Sequence, residues 1–125
     1  MTADMLNLAS RAVACKGWRW MPGMMIHTGF RCVWVDDETF RAFDQNGNEM
    51  YGSTDCLLPD LTDPATLGCL LALVREAYGE RRTGVRWWEP EGCAYVEHPL
   101  LEWRRPDELF PTEAEALVAA LEAAP

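Results

Sequence analysis

Three places in the chain set arginine beside tryptophan: Trp18-Arg19-Trp20, Arg86-Trp87-Trp88 shortly after Arg81-Arg82, and Trp103-Arg104-Arg105. Arginine presents a planar fork of donors that matches phosphate bidentately, and tryptophan presents a face on which a base stacks. Brought together, Trp18, Arg19, Trp20, Arg81, Arg82, Arg86 and Trp88 would bind a small nucleotide-type ligand. The competing reading is packing. Six tryptophans in 125 residues must largely fill a core, with arginine stems lying over their edges. Adjacent strand positions point to opposite faces, so at most one of Trp87 and Trp88 meets the same core. The other face of that strand then needs a cover or a partner subunit.

Other chemistries find little support in the spacing. His27 and His98 are the two histidines, and Cys93, Glu97 and His98 lie close together, yet no pair has the spacing of a zinc ribbon, a metalloprotease helix or a deaminase site. No G-x-S-x-G elbow, phosphate loop or dinucleotide fingerprint occurs, and no cysteine has an adjacent basic motif to activate it. Asp36-Asp37-Glu38 and the Glu89/Glu91 pair sit at strand ends, where a solvated turn competes with paired acid–base carboxylates. The reading is therefore of a binding protein without a catalytic residue, a metal or a cofactor.

The charge balance bounds the partner. Lys+Arg number 11 against 20 Asp+Glu, a formal net charge of -9 with a pI near 4.6. That excludes a bulk nucleic-acid coat or a binder of anionic membranes acting through net positive field, but not a local basic pocket. Of the 11 basic residues Lys16 is the lone lysine. The acids allow one further use, imitation of DNA phosphates on a basic groove, although their scatter also suits plain solubility. A length of 125 residues with 49% hydrophobic and 25% charged content fits one folded domain. Five cysteines form an odd set with no C-x-x-C pair, which reads as reduced thiols in a cytoplasmic protein. The start, Met1-Thr2-Ala3-Asp4-Met5, lacks a basic and apolar leader, and the apolar stretch Leu67 to Val74 is too short to span a bilayer.

The elements that must position these residues follow from periodicity and caps. Thr2 to Lys16 reads as an amphipathic helix on Met5, Leu8, Ala9, Ala12 and Val13, capped by Thr2 and stopped at Gly17. From Met24 to Tyr51 the pattern is short strands, with a turn at Thr28-Gly29 and a stronger one at Asn46-Gly47. Asn-Gly favours a type I′ turn, which would pair Thr39–Asp44 with Asn48–Tyr51. Asp63, Pro64 and Gly79 bound a strongly apolar helix through Leu67, Leu70, Leu71, Val74 and Tyr78, widened by Cys69 and Leu73. Gly68 within it suggests a close approach by another backbone. A second hairpin joins Val85–Glu89 to Cys93–Glu97 through Pro90-Glu91-Gly92. His98 to Pro111 reads as an irregular crossing. Thr112 to Glu115 is a capping box opening a last helix that buries Ala114, Leu117, Val118 and Leu121. The expected architecture is a single α+β domain over residues 1–125, with antiparallel hairpins packed against a central apolar helix and a helix at each end.

Three segments carry a resemblance. Leu58 to Ala77, Ala14 to Met24 and Glu113 to Ala124 resemble stretches shared by short accessory proteins of tailed bacteriophages and prophages; Phe30–Asp55 and Glu80–Phe110 carry none. The resemblance implies expression in an infected bacterial cell and an accessory role, and it carries over no catalytic residue. Countering host antiviral defence is its family-level implication. With the arginine–tryptophan groups, it suggests a protein that sequesters a nucleotide-derived signal without cleaving it, at a site where subunits of a homo-oligomer meet. The alternatives are a protein-binding inhibitor of a host defence nuclease or effector, acting through an acidic or aromatic surface, and a small nucleotide hydrolase.

Overall fold

The computed structural model of the chain describes residues 2–55, 57–89, 91–97 and 109–124. The Trp103-Arg104-Arg105 group and His98 lie outside the described residues. Within them the order is α1 (Ala3–Val13), β1 (Arg31–Val35), β2 (Thr39–Phe43), β3 (Glu49–Ser53), α2 (Pro64–Tyr78), β4 (Gly84–Trp88), β5 (Cys93–Glu97) and α3 (Glu113–Ala123). The strands form two antiparallel sheets, β1-β2-β3 and β4-β5. The fold class is α+β.

Each helix begins where a side chain satisfies its open amides. Thr2 Oγ1 accepts from Met5 N, the Asp63 carboxylate from Thr66 N, and Thr112 Oγ1 from Glu115 N. Pro64 occupies the first turn of α2, and Gly79 ends it with φ 66°, a left-handed conformation that glycine adopts without strain. The first helix is shorter than its periodicity suggests. After Val13 the chain tightens, Cys15 N bonding Ala12 O and Trp18 N bonding Cys15 O. Gly17 then passes against α3, where an added Cβ would lie 3.1 Å from Leu121 Cδ1. The close backbone approach expected at Gly68 is not found: Gly68 is exposed, and a Cβ there would meet no described atom within 4 Å.

The three helices enclose the main core, with Leu8, Leu70, Leu73, Val74, Leu117, Val118 and Leu121 among its buried members. Burying each aliphatic side chain is worth about 1.5–3 kcal/mol before conformational entropy is subtracted. The helix α3 touches α1, α2, β4 and β5. On the second hairpin Val85 and Val96 pack against this core. Trp87 lies on their face of the strand but is 49% exposed; Trp88, half-buried, points to the other face beside Arg86 and Tyr95. The three-stranded sheet has its own smaller core of Ile26, Cys32, Phe40, Ala42 and Leu57. Trp20 packs against both.

Two turns differ in detail from expectation. The β2–β3 connection is hydrogen-bonded from Asp44 N to Asn48 O and from Gly47 N to Asp44 O. Gly47 alone of its residues has positive φ, so the loop is a three-residue type with glycine at the bulge position rather than type I′. The Asp44 carboxylate explains the choice: it accepts from Asn46 N, Asn48 N and the Asn48 side chain. In β1 the register against β2 slips between Cys32 and Trp34. That bulge turns both Val33 and Trp34 to solvent, 50% and 48% exposed, in place of simple alternation.

Candidate functional site

An open cleft of about 660 Å³ lies between the segment after α1 and one end of the three-stranded sheet. Its apolar wall is Val13, Trp18, Trp20, Met21 and Pro22, completed by Val35 and Leu57. Pro22 prevents helix from continuing through this segment. The indoles of Trp18 and Trp20 meet edge-to-face, centroids 5.6 Å apart at 85°, and both back onto the main core.

A second interaction holds this wall in place. Arg31 donates to Gly23 O at 2.7 Å and forks onto both carboxylate oxygens of Asp63 at 3.0 and 3.1 Å. The strand β1, the loop that follows the tryptophans and the start of α2 thereby share one clip. The guanidinium of Arg31 holds the Asp63 carboxyl below the usual carboxylate range.

The opposite wall is acidic. Asp36 and Asp37 come from the β1–β2 turn and Asp55 from the end of β3. Asp36 fixes that turn: its Oδ1 accepts from Thr39 N, Glu38 N and Thr39 Oγ1. The Thr39 amide, then the Glu38 amide, stabilise the carboxylate and push its pKa down, so it is charged at neutral pH. Thr54 N bonds Glu38 O, which carries Asp55 to the same end of the sheet. Among the described residues three carboxylates thus share the cleft with one cation, Arg19, and Arg19 is ion-paired to Glu76 on α2.

The arginines expected to hold phosphate are distributed otherwise. Trp18, Arg19 and Trp20 line the cleft. Arg81 lines a shallow groove of about 450 Å³ at the end of α2, with Arg75, Glu76, Gly79 and Glu80. Arg82 is ion-paired to Glu80 and Arg86 to Glu97; neither they nor Trp88 line the cleft or this groove. Glu76 joins the two places, bonding Arg19 while lining the groove. Arg81 is the member of the set without an ion pair among the described residues. Surface pairs of this kind add little stability, but each neutralises a fork that would otherwise face a phosphate.

Among the described residues, no group of three or more His, Cys, Asp or Glu side chains is placed to hold a metal ion, and no helix is long and apolar enough to cross a membrane. Burial pushes the thiols of Cys15, Cys32 and Cys69 up, away from the reactive thiolate. In the sequence Asp36 and Asp37 read as turn acids, and Asp55 carries no signal. No spacing in the chain joins residues 18–22, 36–37 and 54–55; the fold alone brings them together. No family model matches the chain, and no curated protein or solved structure is similar to it at a significant level.

Proposed function

We propose that the chain is a binding protein whose cleft receives a basic side chain of another protein, the aliphatic stem lying along Trp18 and Trp20 and the charged head meeting Asp36, Asp37 and Asp55. One observation carries this reading: the cleft pairs a tryptophan wall with three carboxylates, and the one cation among its described residues is already bound by Glu76. A guanidinium or ammonium gains from such a site through charge and cation–π attraction together, whereas a phosphate meets net negative charge. Joined to the resemblance to phage accessory proteins, this gives an inhibitor that occupies a basic surface of a host defence nuclease or effector.

Sequestration of a small nucleotide-type signal is the second reading, favoured by Arg81, which lacks a carboxylate partner among the described residues and lines its own groove. Backbone NMR during titration separates the two. A blocked arginine tripeptide is expected to shift the Asp36, Asp37, Asp55, Trp18 and Trp20 resonances. A panel of cyclic dinucleotides is expected to leave them in place; shifts around Arg81 with a nucleotide, and none with the tripeptide, would reverse the order of the readings.

A further inference from the structure

The two edges of the three-stranded sheet are not alike. The outer edge of β1 is covered at its start: Cys32 N bonds Met24 O, Gly23 N bonds Cys32 O, and Met25 bridges Arg31. No described residue covers the outer edge of β3. Asp44 N bonds Asn48 O at one end of the β2–β3 ladder and Thr54 N bonds Glu38 O at the other. With Phe43↔Glu49, Arg41↔Tyr51 and Thr39↔Ser53 in register, these three pairs are the non-hydrogen-bonded ones. The N–H and C=O groups of Glu49, Tyr51 and Ser53 therefore point away from β2, and no backbone hydrogen bond reaches them among the described residues.

Proteins blunt open edges with lysine, proline, bulges or covering segments. The strand Glu49-Met50-Tyr51-Gly52-Ser53 has no lysine, proline or bulge, and it presents Tyr51 at 68% exposure. Its only formal charge is the Glu49 carboxylate, which bonds Arg41. Beyond its ends lie Asp44 and Asp55, and Asp55 already lines the acidic cleft.

We infer that β3 is a docking edge for an extended, basic segment of a partner protein, which adds as a fourth strand and delivers a basic side chain toward the cleft. Main-chain hydrogen bonds at Glu49, Tyr51 and Ser53 supply affinity, and the flanking carboxylates select for positive charge. Charge also decides against a second copy of this chain. Antiparallel self-pairing about Tyr51 would place Glu49 diagonal to the copy's Asp55, between two bodies each of net charge -9. The inference rests on the cleft reading for the chemistry of its partner, but its geometry is tested separately.

The probe is a blocked peptide of alternating valine and arginine, long enough to lie along β3, followed by amide hydrogen exchange and NMR titration. Slowed exchange at Glu49, Tyr51 and Ser53 in the complex is expected. Tyr51→Pro removes an outward N–H without touching a β2–β3 bond, and proline is tolerated on an edge strand. It should weaken the peptide by about tenfold, the equivalent of one net hydrogen bond, while the arginine tripeptide, too short to form the ladder, binds unchanged. Unaltered peptide affinity in Tyr51→Pro, or unchanged exchange at the three wild-type amides, would overturn the docking edge and leave the cleft reading standing. Slowed exchange at β3 together with no tripeptide binding would instead remove the cleft. Should Tyr51→Pro fail to fold, the wild-type exchange experiment decides alone. Concentration-dependent protection of β3 without any peptide would replace the partner strand by a second copy.

Discussion

Replacing Asp63 tests how the cleft wall is held. Its carboxylate accepts from Thr66 N at 3.0 Å, from Thr66 Oγ1 at 2.9 Å and from both arms of the Arg31 fork. Asp63→Ala removes a helix cap, worth about 0.5–2 kcal/mol. It also removes a charge-assisted pair, worth about 1.5–3 kcal/mol when sheltered. The Arg31 side chain is 40% exposed while Asp63 is 13% exposed, so solvent screening reduces the pair to about 1 kcal/mol. A total near 2–3 kcal/mol follows, or roughly 6–15 °C in Tm for a domain of this size. Asp63→Asn keeps a capping oxygen and loses the charge, so it should cost about 1 kcal/mol. Urea denaturation at neutral pH followed by tryptophan fluorescence gives both values. A negligible loss in Asp63→Asn, or a loss in Asp63→Ala below about 0.5 kcal/mol, would refute the clip.

Gly68→Ala should stabilise the protein by about 0.5–1 kcal/mol, because the site is exposed, helical and open around a Cβ; calorimetry showing a lowered Tm would contradict this. Leu117→Ala, fully buried on α3, should cost about 2–5 kcal/mol in urea unfolding, and a loss under about 1 kcal/mol would mean that α3 is not at the centre of the core. Acid should destabilise the fold through Asp63 and Glu122, whose pKa values Arg31 and Arg11 hold down. A depressed native pKa contributes stability above the unfolded value near 4 that is lost as pH falls through the native one. The urea midpoint is therefore expected to be flat from about pH 7 to 5 and to fall below about pH 4, with a shallower fall in Asp63→Asn/Glu122→Gln.

The helices were legible because their signals are local. Asp63, Pro64 and Gly79 mark α2 within a residue at each end, and Thr112 with Glu115 marks the start of α3. What the sequence concealed depends on distant partners. The packing of Gly17 against Leu121 joins positions over a hundred apart. The bulge that turns Trp34 outward has no local mark, since Cys32, Trp34 and their neighbours alternate acceptably on paper. The turn at Asn46-Gly47 was placed correctly, but its type was set by the Asp44 carboxylate. At the site, adjacency suggested that arginine beside tryptophan makes an anion pocket. Folding gave Arg19 to Glu76 and Arg86 to Glu97, and brought aspartates from two sheet loops to the tryptophans instead. Ion pairs across such separations cannot be read from spacing.

The charge of the cleft is the central claim, and calorimetric titration of the blocked arginine tripeptide into wild type and Asp36→Asn/Asp37→Asn/Asp55→Asn tests it most directly. Asparagine keeps the acceptor that fixes the Asp36 turn and removes only charge. At about 0.2–1 kcal/mol for each exposed pair, the variant should bind roughly 3- to 150-fold more weakly. Added salt should weaken the wild type and leave the variant nearly unaffected. Equal affinity in the two proteins, or tighter binding by the variant, would contradict the account.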